Sequence, residues 1–112
     1  MTIQWPLAKL RAIPRDAEIA AGITAAQSYE GWESGLIGEA NNRNMVVYVI
    51  TSADAGADQT VAGRQTTADA ALTKIIADAG YANEVSAAMI AGIVTAVLTA
   101  VAQVRGKQEQ MK

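Results

Sequence analysis

The chain has 112 residues and a formal net charge of −2, is 51% apolar, and contains no phenylalanine, histidine or cysteine. Without cysteine there are no disulfides, thiolate metal sites or cysteine nucleophiles, and without histidine the commonest general base and zinc ligand are missing, which weighs against hydrolase and metalloenzyme chemistry. Alanine makes up about a fifth of the residues, well above ordinary usage. Small side chains gain far less on burial than the roughly 1.5–3 kcal/mol of a Leu or Ile, so stability is expected from close backbone approach or from contacts with other chains.

The length implies a single domain, 1–112. Residues 1–15 carry Lys9, Arg11 and Arg15 with no acid and read as an N-terminal arm. Residues 16–84 hold ten acids against Arg43, Arg64 and Lys74. The basic residues lie near Trp5, a pattern that nucleic-acid binders use, but the acidic middle and a pI near 5.0 argue against that partner. The first residues, MTIQWPLAKLRAI, lack the features of a secretory signal. Pro6 suits the opening of a short helix, Leu7 to Ala12, which must stop before Pro14.

Pro14 suits the first position of the next helix. Asp16 and Glu18 then complement the helix dipole, and Ile19, Ile23 and Ala26 form a thin apolar stripe through about Tyr29. Gly31 to Asn44 reads as loop, with at most a turn of helix around Leu36. Within it, Glu30 and Glu33 flank Trp32 as an acid pair in a sugar site would, but with no partner site defined a polar loop is the favoured reading.

The run from Met45 to Thr51, rich in β-branched residues, predicts a short strand at 45–51 with both faces apolar. Its expected partners are Thr2–Trp5, Gln59–Ala62 or a strand of another subunit. Asp54 and Asp58 flank Gly56 as calcium ligands might be spaced, but the EF-hand spacing and its terminal Glu are missing, so solvated turn carboxylates are favoured.

Thr66 and Asp69 approximate a capping box, and Ala68, Ala71, Leu72, Ile75, Ile76 and Ala79 recur at helical spacing, predicting an amphipathic helix over 67–79. Gly80 is the expected stop. Asn83 is the expected N-cap of a final helix over 84–105, Gly106 lies just past its end, and 106–112 form a polar tail. The two helices are expected to form an antiparallel hairpin or a sharp corner. The fold class that follows is mainly α, an α-rich α+β chain.

Val85 to Val104 is twenty residues without a charge, long enough to cross a bilayer at 1.5 Å per residue. Sorted in steps of four, it divides into a bulky side and a smooth side. Val85, Met89, Ile93, Val97 and Val101, beside Ile90, Val94 and Leu98, make an apolar ridge. Ala88, Gly92, Ala96 and Ala100, beside Ala91, Thr95 and Thr99, make a groove that admits another backbone closely, within the chain or between subunits, with a right-handed crossing. Eight Val, Ile and Leu favour membrane insertion by about 2.4–4.8 kcal/mol, which Gly92, Thr95, Thr99, Ser86 and Gln103 oppose, so insertion is marginal.

No nucleotide, phosphate or nucleophile motif is present, and no catalytic residue, cofactor, metal ligand or small-molecule substrate is indicated. The favoured reading is a non-enzymatic structural or assembly protein that homo-oligomerises through its alanine-rich helices. Its size and composition suit a small bacteriophage virion or morphogenesis component, either cytoplasmic or virion-associated. The rival is a membrane-active protein, holin-like or ejection-channel-like, that inserts residues 85–104.

Overall fold

The computed structural model of the chain describes residues 14–28 and 42–110. Four helices occupy them: α1 Asp16–Ser28, α2 Asn42–Ala55, α3 Val61–Asp78 and α4 Ala87–Gln110. The described part is mainly α, and no strand occurs among the described residues. The short helix at Leu7–Ala12, the Thr2–Trp5 strand, and Glu30, Trp32 and Glu33 lie outside them.

The expected strand at 45–51 is instead the middle of α2. Met45, Val46, Val47, Val49, Ile50 and Ala53 are all fully buried. A seven-residue run that is apolar on both faces has no period that separates a strand from a buried helix. Backbone satisfaction decides between them, because a helix pairs its own N–H and C=O groups whereas a lone strand leaves them orphaned in the core. The helix cost of Val and Ile, at most about 0.7 kcal/mol per residue, is small against that penalty. Thr51, also buried, donates its hydroxyl to the Val47 carbonyl at 2.8 Å and the Tyr48 carbonyl at 3.2 Å, so its side chain adds no orphan. The proposed partner segment Gln59–Ala62 is likewise not a strand but the entry to α3.

The α3 boundaries differ from expectation at one end only. The N-cap is Thr60, whose hydroxyl accepts the Gly63 N–H at 3.0 Å, so the helix starts six residues before 67 and Thr66 lies inside it. The sequence signal was masked by Gly63 and by the polar run Arg64–Thr67, which give no apolar period over the first two turns. At the other end Gly80 stops the helix as expected, with φ at 89°. Gly80 N–H reaches the Ala77 carbonyl and Tyr81 N–H reaches the Ile76 carbonyl, both at 3.0 Å, the paired bonds of a Schellman motif. Tyr81 packs against the core that contains Ile76, supplying the apolar contact that accompanies it.

Helix α4 is capped by Ser86, not Asn83: the Ser86 hydroxyl accepts the Met89 N–H at 3.0 Å. Val85 and Ile90 sit at the two positions of a hydrophobic staple and both join the core, which fixes the entry to α4 one turn later than Asn83 would. Gly106 lies within the helix rather than past its end, and α4 continues to Gln110. A single glycine costs about 1 kcal/mol in a helix interior, too little to end one of this length.

Helices α2 and α4 touch each other and both remaining helices, while α1 and α3 lie on opposite sides of that central pair. The largest contact is between α1 and α4. Gly22 makes part of it possible: a Cβ there would stand 2.6 Å from Val46 Cγ1 and 3.3 Å from Val97 Cγ1. Removing the side chain lets α1 settle onto α2 and α4 at once.

Candidate functional site

One end of the bundle carries a charged cluster to which all four helices contribute. Arg105 of α4 grips Asp54 of α2 through two parallel bonds, Nη1 to Oδ1 at 3.0 Å and Nη2 to Oδ2 at 2.9 Å. The same guanidinium donates Nε and Nη2 to Glu18 Oε1 of α1 at 3.1 and 2.9 Å. Arg64 of α3 completes the set, giving Nη1 to Asp54 Oδ1 at 2.7 Å and to Gln59 Oε1 at 2.8 Å. Gln59 turns its amide nitrogen to the carbonyls of Ala53 and Gly56, at 2.9 and 2.7 Å, and so closes the open C-terminal end of α2.

The cluster reports the direction of each helix. Glu18 is in the first turn of α1 and Arg64 in that of α3, whereas Asp54 and Arg105 lie near the C-terminal ends of α2 and α4. The helices therefore alternate in direction. Glu18 and Arg105 agree with their helix dipoles, while Asp54 and Arg64 each oppose theirs, and pairing the two opposed charges offsets both conflicts.

Two acids against two bases make the cluster neutral. Glu18 is the most buried member, with 6% of its side chain exposed, and Arg105 covers it while keeping 34% of its own. Burial pushes the Asp54 carboxyl up, but hydrogen bonds from Arg105 and Arg64, with their charges, together outweigh it and hold the group below the ordinary carboxylate range. The bond to Asp54 raises the Arg105 pKa above its usual value; burial opposes this and Glu18 adds to it. Every charge in the cluster is partnered by another of its members.

The two sides of α4 have different surroundings. Ile90, Ile93, Val94, Val97 and Val101 are buried in the core, and Met89 and Leu98 are partly buried against it. Ala88, Thr95 and Thr99 are exposed, and Ala91, Gly92, Ala96 and Ala100 are half-buried. On the α3 side, Gln65 donates to the Ala91 carbonyl at 3.2 Å and accepts the Thr95 hydroxyl at 3.0 Å. Helix α3 thus reaches one edge of the small-residue side through a polar bridge, and the remainder faces away from the core.

Beside that bridge α3 and α4 line an open groove of about 380 Å³. Val61, Leu98 and Ala102 give it apolar walls, and Arg64, Thr99 and Gln103 line it with polar groups. Val61 is 89% exposed, the one large apolar side chain in that state among the described residues.

Other residues singled out from the sequence fall elsewhere. Asp54 and Asp58 do not converge: Asp54 is held by the two arginines, and Asp58 Oδ1 accepts the N–H and the hydroxyl of Thr60 at 3.0 and 2.7 Å. Those two bonds hold the Asp58 carboxyl below its ordinary range. Arg15 is exposed ahead of α1, and its proposed companions Trp5, Lys9 and Arg11 lie outside the described residues. The charged cluster escaped sequence reasoning; its one local hint is an Arg closing a twenty-residue uncharged run. No family model, curated protein or solved structure matches the chain.

Proposed function

We propose that the chain is a non-enzymatic structural subunit that homo-oligomerises through the outward, small-residue side of α4, the role a small virion or morphogenesis component fills. The observation that carries this reading is the division of labour on α4. Its bulky residues are engaged in the core, and a smooth surface that includes Thr95, Thr99 and Ala96 is left facing out along the longest helix. Small residues on a helix face allow two backbones to approach closely. Light scattering on the detergent-free chain tests the reading. A defined oligomer that Thr95→Lys and Thr99→Lys convert to a folded monomer is expected; a wild-type monomer rules it out.

A second reading, membrane insertion, is favoured by one specific observation. The stretch Ala87–Lys107 is 21 residues long with a mean hydropathy of 2.1, and only 28% of its most apolar window is buried. Insertion requires α4 to leave the core and Arg105 to release Glu18 and Asp54. Co-sedimentation with lipid vesicles, lost when Val97 is replaced by Lys, is the outcome this reading expects.

A further inference from the structure

Helix α4 is equipped for two environments. Ile90, Ile93, Val94, Val97 and Val101 are buried against the other helices, while Thr95, Thr99 and Ala102 on the opposite side face water. Lipid tails are as apolar as these aliphatic partners, so the buried side gains little by residing in the bundle rather than in a bilayer. The outward side leaves water on such a transfer, and only 28% of the most apolar window of Ala87–Lys107 is buried in the fold.

The polar ties of α4 weigh the other way. Arg105 is the first charge after the twenty uncharged residues from Val85 to Val104, and its guanidinium joins Asp54 of α2 and Glu18 of α1. A bilayer core offers no carboxylate to replace them, and charged hydrogen bonds are worth more than neutral ones. On the α3 side Gln65 makes neutral bonds, to Thr95 and the Ala91 carbonyl. The clasp also lies where it can be opened: Arg105 is half-buried and Asp54 exposed, at one end of the bundle, whereas the core is closed to water. Once released, Arg105 stands with Lys107 at the end of the apolar stretch, where long basic side chains reach the membrane interface.

We propose that the Arg105–Asp54–Glu18 clasp is an autoinhibitory latch that retains α4 in the bundle and sets how readily residues 87–107 enter a lipid bilayer. The latch presupposes the membrane-insertion reading and supplies its control. Apolar packing of α1 and α2 against α4 opposes opening as well, so a test has to separate its share from that of the clasp.

The full chain is mixed with uncharged phosphatidylcholine vesicles, and the protein that sediments with them after an alkaline carbonate wash is measured. Glu18→Gln combined with Asp54→Asn removes both acid charges and leaves the α4 sequence untouched. This double variant, helical by circular dichroism, is expected to insert at least about tenfold more than wild type, the factor that one charged hydrogen bond is worth. Should it fail to fold, Glu18→Gln alone takes its place. Ile50→Ala loosens the core without altering a charge and is expected to insert less than the clasp variant at an equal or larger loss of stability. Equal insertion by wild type and the clasp variant, both lost with Val97→Lys, overturns the latch and leaves the membrane reading standing. As much insertion by Ile50→Ala as by the clasp variant also overturns it. No insertion by any variant, or insertion indifferent to Val97→Lys, removes the latch together with the reading beneath it.

Discussion

Helices α2 and α4 both contain uncharged, apolar runs, but they use them in opposite ways. The seven residues Met45–Thr51 are surrounded on most sides, with Tyr48 the least buried among them, whereas the twenty-residue run from Val85 to Val104 buries one side and leaves the other facing out. The shorter run is therefore enclosed on most sides, while the longer one is half core and half surface. The length of an apolar run measures what a helix is able to bury, while the arrangement of large and small side chains within it decides what it does bury.

The contrast yields a graded series of tests. Ile50→Ala, deep in α2, is expected to lower unfolding free energy by about 3 kcal/mol. Thr99→Ala on the outer side of α4 is expected to change it by less than about 0.5 kcal/mol. Denaturant melts that gave the two substitutions similar costs would remove the distinction between an enclosed run and a two-sided one. Next in size is Arg105→Met, at about 2–3 kcal/mol: Glu18 is left buried without its partner, while Asp54 keeps Arg64 and the site is partly open to water.

Gly22→Ala should cost about 1–2 kcal/mol despite the better helix propensity of alanine, because Val46 and Val97 are buried, β-branched and unable to yield. A stabilised Gly22→Ala protein would show that α1 sits farther from the central pair. Acid titration probes the clasp from another direction. The folded pKa of Asp54 is below its ordinary 3.8, so its contribution is complete above that value and is lost as pH falls through the folded value. The stability difference between wild type and Asp54→Asn, about 1 kcal/mol at pH 7 for a partly exposed group, should accordingly vanish at strongly acid pH. Asp69 has the opposite sign, since burial raises its pKa against the Gln65 hydrogen bond; its ionised form is disfavoured in the fold at neutral pH. Asp69→Asn should leave the melting temperature equal or slightly higher at pH 7, the smallest effect in the series.

What could be read from the sequence was local. The acidic first turn of α1, the Gly80 stop and the apolar spacing of Leu72, Ile75 and Ile76 each operate within a few residues, and each appears in the structure. The class of α2 was not legible, because Met45 to Ile50 supply bulk in every direction and a periodicity test has nothing to detect. Nor was the charged cluster: its pairs are separated by 10, 51 and 87 positions, distances at which no spacing rule connects an arginine to its acid. The bulky and small rows of α4 were legible as rows, but their surroundings depend on where α1 and α3 come to rest.

The Glu18–Arg105 contact also sets an order of events during synthesis. Its partners are 87 positions apart, and α1 makes its largest contact with α4. As the chain leaves the ribosome, α2 and α3 can pair while translation continues, but α1 emerges with its main docking surface still unmade. The first of these helices to be produced can therefore be held only by its smaller contact with α2 until α4 is made. Its Gly22 face can already meet Val46 of α2, but the Glu18 carboxylate stays without Arg105 until α4 appears, and only then can ring closure over 87 positions be made.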